Sequence, residues 1–312
     1  MTPHVHIFKI PAGVRLSVST LMWVWFAFAK GLQPEAATWI EVLLMFSILI
    51  LMPLTRQLGD VRLRNPSRET TEFLTGILLV QALLKPIPSL LGSVMCGLWL
   101  VQQLMEVAWL LRHRQAWLVR DAALGCQVAA RLFPSIGAAW LLAHRLNWMP
   151  FGFDALIVLL TAAHFHHAGF TLPLMAGLGG KALPGPLSQH SCGLILTGVP
   201  LVAIGITCTH FQVLPWVEPI SVSVLVAGAL GTAVLQIQMA FHNGNSWWSK
   251  GLFFISGLSL FIAMLLALGF GLRSVLPHWA LPMPSMWAVH GTLNTFGFGL
   301  CGILAWRSRN LK

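Results

Sequence analysis

Apolar stretches bounded by charge, Pro or Gly recur along the whole chain, near residues 15–30, 37–54, 71–85, 88–111, 119–143, 152–178, 190–209, 217–241, 251–272 and 285–306. A helix rising 1.5 Å per residue needs about 20 mostly apolar residues to cross the hydrocarbon core of a bilayer. The pattern therefore predicts an all-α bundle of about ten membrane-spanning helices, nine if one fails to cross, joined by short loops as a single domain over residues 1–312. The third stretch is the weakest. It is short, ends at Lys85-Pro86-Ile87-Pro88, and reads as a bent or re-entrant piece, which lipid tolerates only where protein covers it.

Composition agrees with that pattern and closes off alternatives. Of 312 residues, 56% are hydrophobic and only 9% charged, with mean hydropathy +0.76, against roughly 25% charged in soluble domains. A net charge of +10 raises the question of a nucleic-acid partner, and sidedness answers it. With the N-terminus inside, Lys9, Arg15, Arg56, Arg62, Arg64, Arg68, Arg112, Arg114, Arg120, Lys181, Lys250, Arg307, Arg309 and Lys312 fall on the inner side, and Lys30, Lys85, Arg145 and Arg273 on the outer. Arg131 stays inside a span. Ten crossings with both termini cytoplasmic thus satisfy the positive-inside rule, and no nucleic acid is needed. Tryptophans such as Trp39, Trp117, Trp148, Trp216, Trp247, Trp248 and Trp279 fall near span ends, where indole prefers to sit. The first span, with Ala27 and Ala29 near its end, also fits a cleavable signal peptide. The five cysteines (Cys96, Cys126, Cys192, Cys208, Cys301) show no paired spacing and read as small buried hydrophobes.

Polar groups at membrane depth cost several kcal/mol unless partnered, so they are the functional candidates. His164, His166 and His167 lie in mid-span. At 100 degrees per residue, His164 and His167 share a face while His166 points largely away. The pair can converge on a proton, a substrate or a metal; packing by hydrogen bonds across helices is the plain alternative. Gln102, Gln103 and Glu106 share a face of the fourth span, and Gln127, Arg131 and Ser135 a face of the fifth. Arg131 lies at a depth similar to His164, with Glu106 or Gln103 as its expected partner. His290 and Asn294 stand one turn apart in the last span, Glu41 at a comparable outer level, and Gln238 and His242 near the inner side. Together these groups could form a polar column. The tail pair His4 and His6 reads as a solvated terminus. There is no His-Glu-x-x-His, no Gly-x-Ser-x-Gly and no phosphate-cradling loop, so a familiar enzyme chemistry is not indicated.

Two resemblances bear on these residues. Ala163-His164-Phe165-His166 looks like the Ala-His-Phe-His of the haem-copper oxidase catalytic subunit, where both histidines bind haem. The likeness stops there, since that family also needs a tyrosine and this chain has none. His164-Phe-His-His-Ala-Gly-Phe170 with Leu172-Pro-Leu174, and His290-Gly-Thr-Leu-Asn294, resemble the YndJ-like family of bacterial membrane proteins. That resemblance implies a polytopic protein of a bacterial cytoplasmic membrane, with no established substrate to carry over.

Three readings stay open. The first is a transporter or permease for a small molecule, an anionic or weakly acidic one among the options, using His164, His166, His167, Arg131, Glu106, Gln103, His290 and Asn294, without a cofactor. The second is a redox protein holding haem or a transition metal, with His164 and His167 as metal candidates. The third is an assembly subunit whose polar groups serve helix packing alone.

Overall fold

The computed structural model describes residues 10–65, 68–113 and 121–310. His4, His6, Lys9, Arg114, Trp117, Arg120 and Lys312 lie outside the described residues. The described chain is all-helical, without a strand. Its helices are α1 (Ala12–Lys30), α2 (Thr38–Thr55), α3 (Arg68–Leu84), α4 (Leu90–Arg112), α5 (Ala122–Arg145), α6 (Ala155–Ala182), α7 (Pro186–His210), α8 (Val217–Ala240), α9 (Trp247–Gly271) and α10 (Met283–Arg309). Among the described residues, nine of these are long and apolar enough to cross a membrane.

The exception is α3, the stretch singled out from the sequence. It is 17 residues long, about 25 Å at 1.5 Å per residue. It runs as a continuous α-helix and starts at Arg68, earlier than the apolar pattern suggests, where Glu106, Arg15 and Arg56 from neighbouring segments neutralise Arg68, Glu69 and Glu72. At the outer end of α5 the helix likewise runs past the predicted 143 to Arg145. There Arg145 is 1% exposed and donates from Nη2 to the carbonyls of Lys85 (2.6 Å) and Pro86 (2.9 Å). α1 is tied in by the Trp23 indole, which donates to the Val42 carbonyl at 2.9 Å.

Helices in lipid gain little from apolar burial against one another, so close approach through small residues replaces it. Gly198 on α7 lies under α8 so tightly that a Cβ there would stand 2.8 Å from the Leu225 Cα. Cys96, Cys126 and Cys192 are buried and Cys208 and Cys301 partly so.

Three helices depart from regular α geometry. α2 contains a π turn at Ser47–Leu51, ahead of Pro53. α6 is interrupted between α6a (Ala155–His167) and α6b (Thr171–Ala182). Pro173 has no N–H for the Gly169 carbonyl and its ring crowds that carbonyl, which accounts for the interruption. α10 is π-helical over Met286–Gly291 and Leu293–Leu300. π turns release main-chain groups from the regular ladder and recur at functional sites. All three irregular segments meet around the histidines of α6a.

Candidate functional site

The interruption of α6 and the π turn of α2 are tied together by two side chains, and the Leu43 carbonyl also accepts the Ser47 N–H. Ser47 Oγ donates to the His166 carbonyl at 2.6 Å, and His167 Nε2 donates to the Leu43 carbonyl at 3.0 Å. A ring nitrogen facing a carbonyl must carry the proton, so these contacts set the tautomers. His166 donates from Nδ1 to the Ala162 carbonyl (2.8 Å) and accepts the Trp99 indole N–H on Nε2 (3.2 Å). Both its ring nitrogens are therefore engaged, and it is fully buried. Gly137 on α5 makes the space, since a Cβ there would stand 2.5 Å from His166 Nδ1. His290 donates from Nδ1 to the Ala263 carbonyl (2.9 Å), and its Nε2 accepts from Asn294 Nδ2 (3.1 Å).

His167 and His164 differ from these. The His167 Nδ1 lone pair is buried with no partner. His164 makes no hydrogen bond among the described residues and is exposed, with His290 and His167 as titratable neighbours. α6a and α10 touch over a few residues. His164, His167, His290 and Asn294 thus form one cluster where these helices meet.

Arg131, Glu106 and Gln103 are elsewhere. Glu106 Oε1 pairs with Arg131 Nη1 and Arg68 Nη1, both at 3.0 Å, and Glu106 Oε2 accepts from Asn65 at 3.1 Å. Gln103 Oε1 accepts from Arg68 Nη2 at 3.0 Å. Arg68 Nε reaches Glu72 (3.1 Å), Glu72 pairs with Arg56 (3.0 Å), and Arg56 approaches Glu69 (3.9 Å), which also pairs with Arg15. The result is an alternating string of guanidinium and carboxylate groups across α1 to α5. His166 faces α4 and α5, and His164 neighbours His290 of α10, so the string and the His164 cluster lie on different flanks of α6a.

The expected polar column is therefore not formed. Glu41 pairs with Lys30 at 2.6 Å on the outer side, Gln238 is exposed, and His242 lies in the exposed turn after α8. Arg56, Glu69 and Glu72 were missed from sequence because they sit at span ends, where charge is ordinary. The connection from α2 to α3 adds Asp60, which pairs with Arg62 (2.8 Å) and Lys181 (2.6 Å). Those hydrogen bonds, Arg62 first, hold the Asp60 carboxyl well below the usual carboxylate range, against an opposing desolvation effect.

Among the described residues no group of three or more His, Cys, Asp or Glu is placed to hold a metal ion. Haem does not fit at His166, whose two nitrogens already serve Ala162 and Trp99.

Ten helices of this composition, with ion pairs and imidazoles held between them, define a multi-pass integral membrane protein. The chain belongs to the YndJ-like protein family, whose model matches residues 42–298, a span that includes His164, His167, His290, Asn294 and most of the ionic string. It is similar to the uncharacterized membrane protein YndJ of Bacillus subtilis (strain 168), with 28% identity over 162 residues. The match covers 51% of this chain and 28% of that relative. No solved structure matches.

Proposed function

We propose that this protein is a transporter or permease for a small molecule, with the cluster of His164, His167, His290 and Asn294 where α6a meets α10 as its substrate site. The observation that carries this reading is an accessible, partner-free His164 at mid-depth beside an interrupted helix. Transporters place substrate sites near the bilayer midplane at discontinuous helices. An intramembrane imidazole left without a partner is costly unless it serves a ligand or a proton. In this reading His164, His167, His290 and Asn294 meet the substrate, and His166 positions α6a against α4 and α5. The string of Arg131, Glu106 and Gln103 sets the packing of α3 to α5 and holds no substrate.

The test is efflux from proteoliposomes loaded with a mixture of small carboxylates, amines and sugars, followed by mass spectrometry. The wild-type protein is expected to release at least one solute that H164A protein retains. Identical retention profiles for the wild type, H164A and empty liposomes would overturn the proposal.

A further inference from the structure

Ile220, Ser223 and Ala227 recur at turn spacing along one face of α8 and are exposed. The helix is long and apolar enough to cross a membrane, so this face meets hydrocarbon. Its other faces are tightly packed: a Cβ on Gly228 would meet Leu194 and Ile195 of α7, and one on Gly271 of α9 would meet Val222. Ser223 and Ala227 are small, whereas Ile220 and Val224 beside them, Leu194 of α7 and Leu272 of α9 are not. Between them lies an open groove of about 480 Å³ whose lining also includes Pro219. From Pro219 to Ala227 it follows α8 for about 12 Å, at 1.5 Å per residue. The hydroxyl in it, on Ser223, donates to the Pro219 carbonyl at 2.8 Å. The side chains of the groove therefore offer a polar ligand no free donor, and desolvating such a ligand there goes uncompensated.

The end of the groove at Pro219 is different. Glu218 precedes Pro219 and Arg273 follows Leu272 in the chain, and the two pair through Arg273 Nη1 (2.6 Å) and Nη2 (3.1 Å). Glu218 is buried, whereas the Arg273 side chain is 35% exposed. The group presented to the surroundings is thus the cation, and none of its hydrogen bonds uses Nε. An apolar groove with a guanidinium at one end matches a hydrocarbon chain joined to a phosphate, an anion that guanidinium binds well. The geometry points to a phospholipid site, in which one acyl chain lies along α8 and the phosphate accepts from Arg273. A second copy of this chain fits less well, because seven lining residues fall short of the roughly 20–30 that each partner brings to a stable interface. None of the seven belongs to the histidine cluster, so the inference stands independently of the transport reading.

Ala227 is the position at which to test the chain-binding half, because it is exposed and Ala227→Leu adds bulk in the groove rather than inside the bundle. Native mass spectrometry of the full chain in detergent would use dioleoylphosphatidylglycerol and dioleoylglycerol as probes, which share their acyl chains and differ in the phosphate. The wild-type protein is expected to retain one phosphatidylglycerol per chain, at least about tenfold more tightly than dioleoylglycerol. Ala227→Leu is expected to weaken phosphatidylglycerol at least about tenfold. Glu218→Gln combined with Arg273→Gln removes both charges of the pair together, and is expected to bring the two probes to equal affinity. Thermal denaturation of each variant checks that the fold is kept, and the Ala227→Leu comparison decides by itself if the double variant is unstable. Equal retention by wild type and Ala227→Leu, no preference for phosphatidylglycerol over dioleoylglycerol, or a preference unchanged in a folded double variant would each overturn the inference. So would a wild-type dimer that Ala227→Leu dissociates, which would give the groove to a second copy.

Discussion

At the scale of single residues, three histidines within four positions have three different environments. His166 is fully bonded and fully buried; His167 is half bonded; His164 makes no hydrogen bond among the described residues. Replacing His166 by Ala strips the Trp99 indole of its acceptor and opens a cavity, so a loss of about 3–5 kcal/mol is expected. Thermal denaturation in detergent would show it, together with a smaller loss for H164A, which leaves no buried partner orphaned. Gly137→Leu should cost as much as H166A, because even a Cβ at residue 137 meets His166 Nδ1 at 2.5 Å and the Ala162 carbonyl at 3.0 Å. The helical wheel separates His166 from the other two in the sequence itself. Which face met the Trp99 indole and which met α2 and α10 could not be read there, since neighbouring helices supply both.

At the scale of elements, the ionic string explains why a helix as short and charged at one end as α3 is held in the bundle. Glu106 is 1% exposed and compensates Arg68 and Arg131 together. Removing one member of a buried pair leaves a bare charge, typically at a cost of 3–5 kcal/mol. Glu106→Gln is therefore expected to lower stability by about that much, while a double change of Glu106→Gln with Arg131→Met recovers part of it. Denaturation of both variants side by side would measure the difference. Asp60 gives the same connection a pH dependence. Its folded pKa lies below the unfolded value of about 3.9, so its contribution is complete above about pH 4 and is lost as pH falls through the lower folded value. Limited proteolysis should show the connection from α2 to α3 protected equally at pH 7 and pH 5, and Asp60→Asn protein cleaved faster at both. Pro173→Ala restores the amide that the Gly169 carbonyl lacks. It is expected to raise the melting temperature and to reduce any flux in the proteoliposome assay.

At the scale of the whole molecule, the charges sort the loops by side. Arg56, Arg62, Arg64, Arg68, Arg112, Lys181, Lys250, Arg307 and Arg309 cluster at one end of the described helices, against Lys30, Lys85, Arg145 and Arg273 at the other. For the ten-crossing topology that the charge bias predicts, with both termini cytoplasmic, a cysteine placed at exposed Asn147 is expected to react with a membrane-impermeant maleimide added outside intact cells, and one at His242 only after lysis. The reverse pattern would invert the topology. The apolar periodicity, the charge bias and the number of long segments settled the class of fold before any coordinates, because a bilayer imposes length and polarity on each helix separately. The Arg131–Glu106 pair was legible too, since two opposite charges at compatible depth in adjacent spans have few other partners. What only the tertiary structure decided was grouping. Depth along a helix is a property of the sequence, whereas azimuth relative to neighbours depends on how helices pack. For that reason Arg131 and His164, equal in depth, lie on opposite flanks of α6a, while His164, His167, His290 and Asn294 cluster beside a π turn and an interrupted helix.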